Sequence, residues 1–217
     1  MPSVLTVNTA PETVQLGELR TGIDKRPTEA ALPVRAPGPR AGGLGSGLVG
    51  DSIGNSRHHG GDDQAVYAYA REDLDGWQSR LGRELSNGMF GENITTSGVD
   101  VANCVIGERW SIGTGGLVLE VTSPRTPCRT FSTWLDVPGW IKTFTAAALP
   151  GAYFRVITPG TIRTSDRIEV IDRPDHSVTV GTVFRALTLE PDLMPALDAA
   201  DALPEKIKQQ VARRTGN

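Results

Sequence analysis

The chain is poor in features that define several large protein classes. Its 217 residues include only two cysteines, Cys104 and Cys128, so no disulfide framework supports a fold of this size. No apolar run approaches the roughly 18 residues needed to span a bilayer. The opening "MPSVLTVNTA" lacks the basic stretch and long apolar segment of a signal peptide. Positive charge is not in excess: the net charge is −3, which argues against general binding to nucleic acid or a membrane surface. Basic residues gathered in one pocket remain compatible with that balance. Three histidines, His58, His59 and His176, and two cysteines far apart give no zinc-type ligand spacing. Neither a GxxxxGK[ST] phosphate loop nor a GxSxG elbow is present. The expectation is a cytoplasmic protein of a reducing compartment with no nucleic-acid or membrane partner.

Glycine and proline, in contrast, are plentiful, at 25 and 15 residues. They punctuate short apolar runs, the texture of a β-rich domain with many turns. "SVLTVN" (Ser3 to Asn8), "QAVYAYA" (Gln64 to Ala70), "GLVLEVT" (Gly116 to Thr122), "AYFRVIT" (Ala152 to Thr158) and "DRIEVI" (Asp166 to Ile171) read as strands. In the second, Ala65, Tyr67 and Tyr69 alternate with Val66 and Ala68. Uneven connections and the absence of a repeat favour a closed or nearly closed mixed barrel over a regular meander. "REDLDGWQSRL" carries acids in its first turn and reads as a helix. "STWLDVPGWIKTFTAAAL" is divided by Pro138 and Gly139 into two short pieces at best. The long stretch from Pro33 to Ser56 buries little and reads either as a binding loop or as a floppy insertion. After about Ser177 three short amphipathic segments follow, two of them opening on proline. The predicted fold is therefore mostly β with α: a barrel over residues 1–175, decorated by short helices, and a three-helix appendage over residues 176–217.

Candidate chemistry gathers around a few segments. "HHGG" before "DDQAVYAYA" is either a surface turn with incidental histidines or a place where the backbone passes close to a bound group. "MFGENITT" offers Asn93, a donor and acceptor suited to a heterocycle edge, or else a capped turn before a strand. Cys128 sits in "TSPRTPCRTF" between Arg125 and Arg129, with Pro127 just ahead of it. Nearby positive charge lowers a thiol's pKa from about 8.5. Cys128 therefore reads as a presented thiolate, suited to soft metals or, with His59, to nucleophilic attack. It also reads as an inert buried thiol, since free cysteine is often buried. Cys104, in "DVANCVIGERW", has no arginine pair and belongs to the core.

Four ordered segments resemble the MOSC family, the molybdenum cofactor sulfurase C-terminal domain, in its stand-alone YiiM-like branch. They are "GDSIGNSRHHGGDDQAVYAY", "FGENITTSGVD", "VIGERWSIG" followed by "LEVTSPRTPC", and "GAYFRVI". The resemblance covers roughly residues 2 to 172, and the tail resembles that branch's three-helix extension. It implies a MOSC-type β-barrel that binds a molybdenum–pterin cofactor, with pyridoxal phosphate not expected. The cysteine of the family pattern falls on Cys128, which would ligate molybdenum, and the "HGG" histidine falls on His59, a catalytic proton donor. Arg57, Asn93, Arg125, Thr126 and Arg155 are the implied cofactor contacts. The implied activity is reduction of N-hydroxylated compounds, notably hydroxylamino purines, with electrons from a separate donor protein. The alternative is a non-catalytic carrier of the cofactor or of sulfur. A cysteine hydrolase is a third reading, but it lacks a recognisable acidic orienter. The branch's "G-L-E-G-D" appears here as "GLVGD", with Val49 in place of the glutamate; Asp51, Asp62 and Glu92 are the acids available to substitute.

Overall fold

The computed structural model describes residues 1–54 and 59–215. Its centre is an eight-stranded sheet. In chain order the strands are β1 (Ser3–Thr9), β2 (Val14–Leu16), β3 (Leu19–Thr21), β4 (Arg26–Thr28), β5 (Leu32–Val34), β6 (Val66–Ala70) and β7 (Ile94–Ser97). They continue as β8 (Arg109–Ile112), β9 (Leu117–Pro124), β10 (Ala152–Thr158), β11 (Gly160–Ile162) and β12 (Ile168–Asp172). The main sheet runs β12-β8-β9-β10-β6-β7-β1-β4, while β5 pairs with β11 and β2 with β3 in two small ribbons. Within it β6 and β7 are parallel and the other pairs antiparallel.

Two expectations need correction. The sheet does not close into a barrel. Its ends approach where Val4 N–H donates to Asp166 C=O at 2.8 Å and Ile168 N–H to Pro2 C=O at 3.0 Å. Among the described residues these bonds and the isolated bridge Ser3–Arg167 join them, with no continuous ladder. Nor is the fold mostly β: helix and strand contribute almost equally. The helices are α1 (Arg71–Leu81), α2 (Arg129–Leu135), α3 (Trp140–Ala147), α4 (Val180–Thr188) and α5 (Glu205–Thr215). Pro191–Ala199, between the last two, is 3-10 helix rather than α-helix, with Pro195 inside it removing a backbone donor. Among the described residues no helix is long and apolar enough to cross a membrane.

The β6 alternation explains how the layers are built. Val66, Ala68 and Ala70 face the main core with Val121, Trp110 and Phe154, and Val183, Leu197 and Val211 of the carboxy-terminal segments join that same core. Tyr67 and Tyr69 point the other way, into an aromatic cluster with Trp77, Phe90, Phe131, Trp140 and Phe144. Edge-to-face contacts at 4.7 Å (Trp77–Trp140) and 5.0 Å (Phe90–Phe131) knit α1, α2 and α3 to that face of the sheet. Phe154 packs against Trp110 at 4.6 Å and is fully buried. Its replacement by alanine should lower the unfolding free energy by about 3–5 kcal/mol. In urea denaturation this appears as a lower midpoint with an unchanged slope; an unshifted midpoint would contradict the packing described.

Candidate functional site

Cys128 lies where β9 leaves the sheet and α2 begins. Pro124 ends the strand, Arg125 to Pro127 cross to the helix, and Cys128 takes the N-cap position in extended conformation. The residue is half-buried rather than sealed in the core. It lines a cleft of about 700 Å3, counting its open mouth, together with His59, Asn93, Arg125, Lys25 and Asp51. That size suits a small-molecule ligand. A second lobe meets the first at Cys128, His59, Gln64 and Tyr153 and extends to Thr126, Arg129 and Lys206.

The opposite wall comes from the long loop after β5, and backbone contacts pin it. Gly47 N–H donates to Ala65 C=O at 2.7 Å and Ser52 N–H to Ala10 C=O at 2.8 Å. A side chain at Gly54 would stand 2.1 Å from the Arg20 carbonyl, so only glycine lets the loop approach β3 so closely. Gly60 and Gly61 of "HHGG" have φ of 80° and 84°, the left-handed turn that carries the chain from His59 into β6.

Electrostatics at the centre are unusual. Burial pushes the Cys128 thiol up, but several influences act against it, chief among them a hydrogen bond from His59, the charge of Arg125 and the Phe131 backbone N–H. Together they bring its pKa down to about 6. Arg125 is itself buried. Its guanidinium donates to the Phe90 carbonyl and lies 3.9 Å from the Phe131 ring centroid and 5.2 Å from that of Tyr67. Among the described residues no carboxylate pairs with it. Burial works against its charge, yet the phenols of Tyr67 and Tyr153 and the Cys128 thiolate outweigh that and raise its pKa. A buried cation without a carboxylate needs an anion beside it; Cys128 supplies one.

The other anticipated residues divide. Asn93 reaches the cleft wall, but its side chain is occupied: Oδ1 accepts from Tyr67 N–H at 3.2 Å and Nδ2 donates to Asp51 at 2.9 Å. Thr126 is exposed on the outer lobe. Arg155 lies outside both lobes, bonded to Glu120 at 3.0 Å, Asp63 at 2.6 Å and the Ala202 carbonyl at 3.0 Å. It ties the carboxy-terminal segment to the sheet. Arg57 falls outside the described residues. Val49 does not line the cleft. Of the three substitute acids only Asp51 does, and it is held by Lys25 Nζ at 2.5 Å, Ser46 at 2.7 Å and Ala10 N–H at 2.9 Å. Glu92 is buried and accepts from Gly88 and Phe90 N–H, and Asp62 accepts from Gly38 N–H. Among the described residues no carboxylate bonds His59, so a hydrolytic triad lacks its third member. Sequence reasoning passed over Lys25, Gln64 and Lys206, which carry no motif; the alternation of Tyr67 and Tyr69 was the one available signal for the aromatic wall.

The MOSC domain family model matches residues 55–169, a span that includes His59, Asn93, Arg125 and Cys128. The chain belongs to the MOSC domain family. An uncharacterized protein of Bacillus subtilis, YflK, is 30% identical over 82% of this chain and 77% of its own length. YiiM of Escherichia coli is 28% identical over 58% of this chain and 57% of its own. A protein of Gibberella moniliformis named a reductase is 29% identical over 65% of this chain but only 26% of its own length. The crystal structure of YiiM from Geobacillus stearothermophilus superposes with a TM-score of 0.79 over 99% of both chains at 22% identity. The fold is thus shared along almost the whole chain, while the family match spans residues 55–169.

Two outcomes test this geometry. The rate of Cys128 alkylation by iodoacetamide should rise with pH through a midpoint near 6. In His59→Gln, which loses a hydrogen bond to the thiolate, the midpoint should move up toward the ordinary thiol value of about 8.5; an unmoved midpoint would remove His59 from the thiolate's surroundings. Arg155→Ala should lower stability by about 1–3 kcal/mol while leaving the alkylation midpoint where it was, as befits a residue outside the cleft.

Proposed function

We propose that this MOSC protein binds a molybdenum–pterin cofactor in the inner lobe and reduces N-hydroxylated compounds, such as hydroxylamino purines, to amines. The observation that carries this reading is a low-pKa thiol beside a buried arginine without a carboxylate, both lining an open cleft. These donors fit such a group. A thiolate is a soft ligand suited to molybdenum, and Arg125 offers a positive charge to an anionic pterin. In this reading Cys128 holds the metal, Arg125 holds the pterin, and Arg57 remains a candidate contact. Asn93 keeps the wall in place through its bonds to Tyr67 and Asp51, a positioning role in place of direct contact.

When bound, the cofactor supplies the two-electron chemistry that cleaves the N–O bond. The net change converts R–NHOH, two electrons and two protons into R–NH2 and water, with the electrons brought by a separate protein. In this reading His59, which lines both lobes, delivers a proton to the departing oxygen. The relative named a reductase supports this direction.

Protein from a host that makes the cofactor should carry near-stoichiometric molybdenum by elemental analysis, and Cys128→Ala should lose it. His59→Gln should keep the metal and lower turnover of a hydroxylamino purine by roughly 10²–10⁴-fold, assayed with a chemical electron donor. Equal metal in Cys128→Ala would remove the proposed ligand. Metal without turnover in the unmodified protein would favour the carrier.

A further inference from the structure

The two lobes differ in what they present. The inner lobe holds the buried Arg125 and the Lys25–Asp51 pair. Three cations converge on the outer lobe from distant parts of the chain: Arg20 of β3, Arg129 at the start of α2, and Lys206 of α5. Among the described residues Glu18 is the one acid on that lining. All three cations are exposed, and among the described residues none is in an ion pair. In a chain of net charge −3, such a gathering favours an anion. At the junction of the lobes the Gln64 side-chain oxygen is buried and, among the described residues, without a hydrogen-bond partner. It is an acceptor waiting for an N–H, and it stands beside Cys128 and His59 on both linings.

We infer that the outer lobe is the substrate lobe and that it takes a phosphate-bearing N-hydroxylated compound, a nucleotide in preference to a free base or nucleoside. This rests on the reductase reading for the nature of the reacting group. The phosphate lies against Arg129 and Lys206 with Arg20 at the shared edge, and Gln64 accepts a hydrogen bond from the N–H next to the bond that breaks. The carboxy-terminal helix thereby contributes to the site through Lys206.

Adenosine monophosphate and adenosine, the amine products with and without phosphate, are suitable probes because neither can be reduced further. Isothermal titration of the cofactor-loaded protein should show the nucleotide binding at least about tenfold tighter, with the difference shrinking as salt is raised. The double substitution Arg129→Gln/Lys206→Gln, at two exposed positions, should abolish that difference and leave molybdenum content unchanged. Equal binding of the two probes overturns the inference. So does a loss of molybdenum in the double variant, which would assign these cations to the cofactor's own phosphate. If the unmodified protein carries no molybdenum, the reductase reading fails separately, and the same titration on that protein still decides whether the lobe holds a phosphate.

Discussion

A guanidinium enclosed by aromatic rings, with a thiolate for its counter-charge, is the interaction around which this molecule is arranged. Arg125 has a carbonyl and two ring faces for company, and these compensate a buried cation only in part. Cys128, three residues on, is drawn into its ionised form by the His59 hydrogen bond and by the same charge. Each group makes the other tolerable. Burial by itself would keep the thiol protonated; the His59 hydrogen bond and the arginine's charge oppose it, and the thiolate in turn favours the charge of the buried arginine.

The fold serves this pair by fixing both ends of a very short segment. On one side β9 is held between β8 and β10; on the other, α2 sends Phe131 into the aromatic cluster beneath Arg125. Tyr67 reaches the same place from β6, anchored by its hydroxyl donating to the Pro150 carbonyl at 2.8 Å. The loop after β5 then closes the far wall through backbone hydrogen bonds and the Asp51 network. A reactive sulfur thus sits on rigid supports, and the chemistry is left to whatever the cleft admits.

Much of this was legible in the sequence, for physical reasons that can be named. Strands with clear alternation, β1, β6 and β10, and α1 with acids in its first turn announce themselves because period and length agree. The Pro138–Gly139 break separates α2 from α3 as a missing donor requires. The three-residue strands β2, β3, β4, β5 and β11 are too short to show any period, and Pro27 and Pro33 disguise two of them. The barrel expectation failed because whether two edges meet is decided by register, which composition does not encode. At the site, Cys128 and Arg125 stood out as a charged pair in sequence. Asn93 and Arg155 were harder: a polar residue in a motif looks available until its bonds to residues far along the chain are seen. Gln64 and Lys206, single polar residues with ordinary neighbours, carry no signal at all until the fold brings them to Cys128.

The most direct test of the Arg125–Cys128 pair is a double-mutant cycle on unfolding free energy with Arg125→Met and Cys128→Ser, run at pH 8 and again at pH 4.5. Above the thiol's pKa of about 6 the two substitutions should be coupled by on the order of 1 kcal/mol or more. Below it, where the sulfur is protonated, the coupling should collapse. A coupling near zero at pH 8, or one of the same size at both values, would contradict the ion pair on which the site depends.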